Sequence, residues 1–380
     1  PKAVKTEQVP APVKEEPKKE ETKAAEEVKQ EAVKENVAKE EEIVNYSNIV
    51  ARRVGRQITV LTPLLDAHLV SGDRVNAILY PISTKGNTIT IRKFARDPYT
   101  IIDLINSKTC SMEIAVLLWL AIEYEMNILI SGGTASGKTT LLNAIAFFIP
   151  PESRVVSIED TRELNLPREN WLPSVSRTAL GQGKMGEVDL FSLLRSSFRQ
   201  SPDYVIVGEV RGNEAFVLFQ GMASGHSSIS TFHADSVDTV IKRLETPPIQ
   251  LSPSLLNTLD CVAIMTHAIV NKQETRKLRE IAEIVNVDDR GVALTNIPFI
   301  WNAREDVFYF KKDSKVFEKI SKKYGLTIEE LNRELDNRSR LLYEMKKKKI
   351  FDFEKTQKLI NEYHKDPKTV LEAFGITENN

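Results

Sequence analysis

Hydrophobic and polar positions are arranged in four ways along the chain, and each predicts a different structure. Up to about residue 43 nearly every residue is Lys, Glu, Ala, Val or Pro. That leaves too little bulky apolar surface to offset the entropy of ordering, so a disordered tail is expected over 1–43, with some helix potential between Glu20 and Glu42. From 44 to 105 short apolar runs are broken by turns. Leu64–Leu69 leads to a turn at Gly72-Asp73, and Arg74–Leu79 reads as a strand. Ser83–Asn87 is a second turn, after which Thr88–Phe94 alternates as a strand does. This pattern predicts a small N-terminal α+β domain, with a linker and helix opening at Asp97-Pro98.

From 106 to 300 the pattern changes to alternating strands and helices. Arg154–Ile158, Tyr204–Val207, Ser228–Thr231 and Val262–Met265 are apolar runs of strand length. Leu190–Gln200, Asn213–Met222 and Ser236–Leu244 have helical spacing. Such alternation predicts an α/β fold built on a parallel sheet, whose strand C-termini converge on one crevice. Over 301–380 the chain turns helical. Thr327-Ile328-Glu329-Glu330 is a capping box, a second helix runs from about Phe353 to His364, and Asp366-Pro367 opens a third, predicting a small helical C-terminal domain.

One segment carries explicit chemistry. Gly132-Gly133-Thr134-Ala135-Ser136-Gly137-Lys138-Thr139-Thr140 follows the apolar run Asn127–Ser131 and precedes the helical stretch Leu141–Ala146. Strand, G-x-x-x-x-G-K-[ST] and helix together define a P-loop. Glycines let backbone N–H groups close around phosphate oxygens, and the helix that follows adds its positive end. Lys138 is placed to reach the β- and γ-phosphates, and the Thr139 hydroxyl to ligate Mg²⁺.

Composition narrows the alternatives. A formal net charge of −1 gives no overall attraction to nucleic acid or anionic lipid. Cys110 and Cys261 both lie among apolar residues, as buried thiols of a reducing compartment do, and two cysteines are too few for a four-cysteine zinc module. The first residues are Pro, Lys and a charged stretch, so no signal peptide is expected. The apolar run Ile114–Ile122 is too short to span a bilayer, which predicts a soluble protein or one attached to a membrane from outside. Lys346–Lys349 is either a solvated helix end or a contact for an anionic surface.

A nucleotide hydrolase needs a carboxylate near the metal, a group to activate water and cations for developing charge. Glu209 ends one strand, Glu159, Asp160 and Glu163 follow another, and His226 and His233 flank a third. In order, Gly132–Thr140, Glu159–Glu163, Val207–Gly212 and Ala223–Ser236 resemble the Walker A, Asp, Walker B and His boxes of the type II/type IV secretion-system ATPases, a superfamily that includes type IV pilus motors and archaellum ATPases. The resemblance covers roughly residues 50 to 380. The missing four-cysteine module, Thr246-Pro247-Pro248-Ile249 and the helical end resemble the archaeal branch. The family usually has further N-terminal strands, where this chain has its Lys/Glu tail.

The resemblance implies a RecA-like ATPase domain hinged to the N-terminal domain, with ATP and Mg²⁺ between them, in a homo-hexameric ring. By it, Glu163 activates water, Glu209 and Thr139 support Mg²⁺, His226 and His233 sense the γ-phosphate, and Arg74 and Arg92 reach phosphate. Arginine suits that task because its planar fork matches charge spread over phosphate oxygens. The implied protein is a cytoplasmic ATPase at the inner face of the cell membrane. It acts on an integral membrane platform protein to assemble or secrete type IV pilus-like filaments or proteins, with an archaellum motor as the alternative within the family. From other classes, a DNA translocase is disfavoured by the charge balance and the lack of an aromatic–basic stripe. A nucleotide-gated scaffold without catalysis is disfavoured by the full set of acidic and His boxes, and a small-molecule kinase by the lack of an arginine-rich lid.

Overall fold

Glu40–Arg53 forms the first helix, α1, with Glu40, Glu41 and Glu42 in its first turn and Arg52 and Arg53 in its last, charges that complement the helix dipole. Residues 40–43, assigned to the tail by composition, are therefore helical, while 1–38 lie outside the described structure. The computed structural model describes residues 39–69, 71–94, 96–177, 186–311 and 313–376. They divide into two units.

The smaller unit runs through Ala67 and resumes at Val75–Ile91. Most of β1 (Leu64–His68), β2 (Arg74–Ile78) and β3 (Thr88–Arg92) belongs to it, paired in that order. Alternation buries Leu65, Ala67, Val75 and Ala77 on one face of the sheet. Glu40 ties α1 to the preceding turn of β3, accepting from the Asn87 N–H at 2.9 Å and the Asn87 side-chain amide at 2.5 Å.

The larger unit comprises His68–Arg74 and the chain from Arg92. It opens with α2 (Ile101–Asn106) and α3 (Met112–Glu123), the latter buried along most of its length. β4 (Ile128–Gly132) leads into α4 (Lys138–Ala146), and β5 (Val155–Glu159) and β6 (Trp171–Val175) follow. Then come α5 (Leu190–Ser197), β7 (Tyr204–Val210), α6 (Glu214–Ala223), β8 (Ser227–Phe232), α7 (Val237–Glu245) and α8 (Pro253–Leu256). Four long or edge strands follow: β9 (Cys261–Val270), β10 (Gln273–Val287), β11 (Ala293–Asn302) and β12 (Val307–Phe310). The chain finishes with α9 (Lys315–Tyr324), α10 (Ile328–Lys347), α11 (Phe353–Lys365) and α12 (Pro367–Ala373).

All the strands from β4 onward join one sheet in the order β12-β11-β10-β9-β4-β8-β7-β5-β6. β9, β4, β8, β7, β5 and β6 are parallel to their neighbours, while β9 to β12 form an antiparallel meander. The parallel part, with the P-loop after a central strand, is the RecA-like arrangement. β4, β5 and β8 are buried at every position, as expected of strands covered on both faces. The meander corrects one reading of the sequence. The chain does not turn helical at 300: β12 forms first and the helices begin at Lys315.

The C-terminal helices share the apolar core of α3 and α4, with Leu331, Leu341, Ile360 and Leu371 packed into the same cluster as Trp119 and Phe148. The Thr327 capping box forms as the spacing predicts, with Glu330 N–H on Thr327 Oγ1 at 3.1 Å and Thr327 N–H on Glu330 Oε2 at 2.8 Å. Cys110 and Cys261 are both free thiols buried among apolar residues. No described helix is long and apolar enough to cross a membrane.

Candidate functional site

The P-loop joins β4 to α4, and its shape follows from its residues. Gly137 caps α4 at φ +93°, in the left-handed region that favours glycine. Gly132 has no room for a side chain, because a Cβ there would stand 2.3 Å from the Met265 carbonyl oxygen on β9. Ser136 Oγ donates to the Gly133 carbonyl at 2.8 Å and closes the loop on itself. From β10, Arg276 Nε donates to the Ala135 carbonyl at 3.0 Å and braces the loop from outside. Thr134 and Ala135 form its exposed tip, while Thr139 and Thr140 sit half-buried in the first turn of α4.

Lys138 Nζ donates to the carbonyls of Gly132 and Gly133 at 3.0 and 2.8 Å. Burial holds its pKa below the usual lysine value, opposed by the Glu209 carboxylate and, more weakly, by Glu163. Both acids therefore stand within electrostatic reach of the P-loop ammonium. Each arrives at the C-terminal edge of the parallel sheet, Glu209 within β7 and Glu163 on the loop after β5.

Glu163 also meets a cation. Arg92 Nη2 lies 2.8 Å from Glu163 Oε1, both residues belonging to the larger unit. Arg74 Nη1 lies 3.5 Å from Thr161 Oγ1, on the same loop, and Thr161 Oγ1 is 3.0 Å from His68 Nε2. Glu209 pairs with Arg211, whose Nη2 is 2.5 Å from Glu209 Oε2 and whose Nη1 is 3.8 Å from Asp160 Oδ2. The hydrogen bond that Arg211 donates to Glu209 raises the Arg211 pKa above its ordinary value.

The two histidines separate. His233 follows β8 directly and reaches the P-loop: its Nδ1 is 3.0 Å from the Gly132 carbonyl and its Nε2 is 3.4 Å from Thr134 Oγ1. His226 precedes β8 and stands at the opposite edge of the sheet. Its Nδ1 faces the Pro202 carbonyl at 3.3 Å and its ring packs on Phe198 at 5.0 Å. A six-residue strand is about 20 Å long at ~3.3 Å per residue. Of the two histidines expected to sense the γ-phosphate, the structure therefore brings His233 alone to the P-loop.

Several residues at this edge had no individual role assigned by the sequence reading. Glu159 ends β5 and is buried, with its Oε1 accepting the N–H groups of Glu163 and Leu164 at 2.9 Å each. Burial pushes its carboxyl up to about 7. Asn143, buried in α4, donates to the Glu163 carbonyl at 3.1 Å. Arg162 lies over the rings of Phe94 and Trp171, 5.3 and 5.7 Å from their centres. A polar residue inside a helix, such as Asn143, gives no distinctive spacing, whereas Glu159 and Arg162 within the Glu159–Glu163 run and Arg211 within the Walker B run had a signal that could have been used.

The arrangement is thus a P-loop with one ammonium, two carboxylates within its electrostatic reach, and arginines paired to those carboxylates. Residues 32–298 match the family model described as type II/IV secretion system protein. An uncharacterized protein of Methanocaldococcus jannaschii is 40% identical over 268 residues, covering 69% of this chain and 98% of that protein. A second protein of that organism is 38% identical over 330 residues, covering 84% of this chain and 59% of its own length. The chain therefore spans less than two thirds of that second relative. The conjugal transfer protein TrbB of Rhizobium radiobacter is 33% identical over 231 residues, covering 60% of this chain and 68% of that protein.

Proposed function

Because the chain belongs to the type II/IV secretion system protein family, we propose that it is a Mg²⁺-dependent ATPase powering the assembly or secretion of type IV pilus-like filaments or proteins through a membrane platform. The observation that carries this reading is a P-loop bearing Lys138 between β4 and α4, with Glu209 and Glu163 delivered to the same sheet edge within its electrostatic reach. The P-loop amides and Lys138 bind the phosphates, and Thr139 with Glu209 hold Mg²⁺, which neutralises phosphate charge when bound. Glu163 orients and deprotonates the attacking water. Arg92 and Arg74 supply cationic support for charge developing on the γ-phosphoryl, and His233 links its presence to the P-loop. His226, at the far edge, is left with a structural role.

In this reading the protein works as a homo-hexamer on the cytoplasmic face of the membrane, peripheral to it, with an integral platform protein as partner and no nucleic acid. Phosphate release from ATP tests it, measured with Mg²⁺ in wild type, Lys138→Ala and Glu163→Gln. Lys138→Ala is expected to abolish turnover. Glu163→Gln should lower it about 10²–10⁴-fold, the contribution of a positioned base, while ATP binding persists. Wild-type protein that releases no phosphate, even with lipid, sinks the proposal.

A further inference from the structure

We infer that Asn143 and Glu159 are positioning residues that clamp the Glu163 peptide to the P-loop helix, fixing where the Glu163 carboxylate stands relative to the phosphate cradle. The inference rests on the reading of Glu163 as the water-activating group. Its basis is a closed set of hydrogen bonds around one loop. On one side Glu159 Oε1 takes the N–H of Glu163 and of Leu164, each at 2.9 Å. On the other, Asn143 Nδ2 donates to the Glu163 carbonyl at 3.1 Å, and Asn143 Oδ1 accepts the Asn165 N–H at 3.0 Å. The same Nδ2 also donates to the Thr139 carbonyl at 3.2 Å, one turn back in α4. Thr139 carries the hydroxyl assigned to Mg²⁺, so a single side chain joins the turn that holds the metal to the loop that holds the base.

Packing alone does not account for these two residues. Asn143 is 4% exposed among Leu141, Leu142, Ala144 and Ile145, all fully buried, and Glu159 is 2% exposed. Asparagine is a poor helix former and a buried amide or carboxyl costs free energy unless partnered. An apolar residue would be more stable at either position if nothing but the core were at stake. Among the described residues Glu159 Oε2 has no hydrogen-bond partner, so the carboxyl is retained for what Oε1 does. β7 leaves space for it: a Cβ on Gly208 would stand 3.1 Å from Glu159 Cγ. The burial that pushes the Glu159 carboxyl up to about 7 is the cost of holding an acceptor at this depth.

Function depends on such holding because a displacement of about 1 Å in a reacting group costs about 10²-fold in rate. Asn143→Leu, Asn143→Asp, Glu159→Leu and Glu159→Gln would be purified and compared for kcat and KM with ATP, affinity for a fluorescent ATP analogue, and hydrogen exchange at residues 163–165. Asn143→Leu and Glu159→Leu should lower kcat about 10²-fold with analogue affinity unchanged. Asn143→Asp keeps the acceptor for Asn165 but loses both donors, so it should lower kcat as well. Glu159→Gln keeps an acceptor oxygen and should retain most turnover. Exchange should quicken at Glu163 and Leu164 in Glu159→Leu, and at Asn165 in Asn143→Leu. Unchanged kcat with these amides still protected overturns the clamp. So does a loss of analogue affinity as large as the loss of kcat, which would mark a damaged P-loop instead. Should the leucine variants not fold, Asn143→Asp against Glu159→Gln decides the matter by the same readings. If wild type hydrolyses no ATP the functional proposal falls, while exchange at the three amides still tests the clamp.

Discussion

His233 Nδ1 lies 3.0 Å from the Gly132 carbonyl oxygen, tying the end of β8 to the start of the P-loop. The carbonyl can only accept, so Nδ1 donates to it, and Nε2 faces the Thr134 hydroxyl at 3.4 Å. Replacing His233 with Ala removes both contacts. A typical net hydrogen bond contributes about 1 kcal/mol, so ATP affinity should fall about fivefold. Titration with a fluorescent nucleotide reads this directly, and an unchanged dissociation constant would remove His233 from the site.

Gly132→Ala should damage the P-loop by crowding alone. The added Cβ would stand 2.3 Å from the Met265 carbonyl and 2.6 Å from Ser136 Oγ. The first neighbour is strand backbone, paired in register with Gly132, and cannot swing aside. Overpacking of this kind costs about 1–3 kcal/mol. Thermal unfolding should show a lower midpoint together with lost nucleotide binding. A variant as stable and as tight as wild type would contradict the geometry.

Glu159 gives the protein a pH-dependent stability whose sign is fixed by burial. Its carboxyl is raised from 4.5 to about 7, chiefly by burial and further by the Glu163 charge, against two backbone N–H bonds and Arg162. The folded state therefore favours the protonated acid. Its contribution is fully present below about 4.5 and is lost as pH rises through about 7, because the unfolded chain ionises first. Glu159→Gln mimics the protonated form at all pH values. The difference in melting temperature, variant minus wild type, should thus increase between pH 5 and pH 8. A flat difference would mean that Glu159 titrates as an ordinary surface acid.

The P-loop was legible because its function dictates its spelling, glycines and Lys138 at fixed spacing between an apolar strand and a helix. The buried parallel strands were legible for a similar reason, since burial on both faces leaves only apolar runs. β10 was not, because its fifteen residues mix Lys277, Arg279, Glu280 and Glu283 with apolar positions and shift register against both neighbours. Lys277 shows why charge misleads there. It is buried in the sheet, where its ammonium meets Asp306 at 2.6 Å and the Lys108 carbonyl at 2.9 Å. His226 misled in another way, since seven residues from His233 suggests nearness and an intervening strand enforces distance. Asn143 and Glu159 act through backbone groups, and a bond to a backbone N–H leaves no trace in the partner's identity.

Arg338 ties the C-terminal helices to α3, and its loss should be costly to stability. Its side chain is 4% exposed, with Nη1 2.5 Å from Glu123 on α3 and Nε 2.9 Å from Glu334 on its own helix. The guanidinium lies over the Trp119 ring at 4.8 Å and the Tyr363 ring at 5.1 Å. Arg338→Ala would leave the Glu123 carboxylate facing apolar rings, with His364 Nδ1 at 3.5 Å on a ring whose pKa burial holds below the usual histidine value. Removing one member of a buried pair costs about 3–5 kcal/mol, because the other charge stays behind. Denaturant unfolding of Arg338→Ala should show a clearly lower midpoint. Adding Glu123→Gln to it should restore part of the loss, since the stranded charge is then gone. The consequence extends to the residues just past α4, whose carbonyls are held from α11, Phe147 by Gln357 Nε2 at 3.0 Å and Phe148 by His364 Nε2 at 3.1 Å. If the single variant unfolds at the wild-type midpoint, or the second substitution only deepens the loss, the network does not anchor these helices.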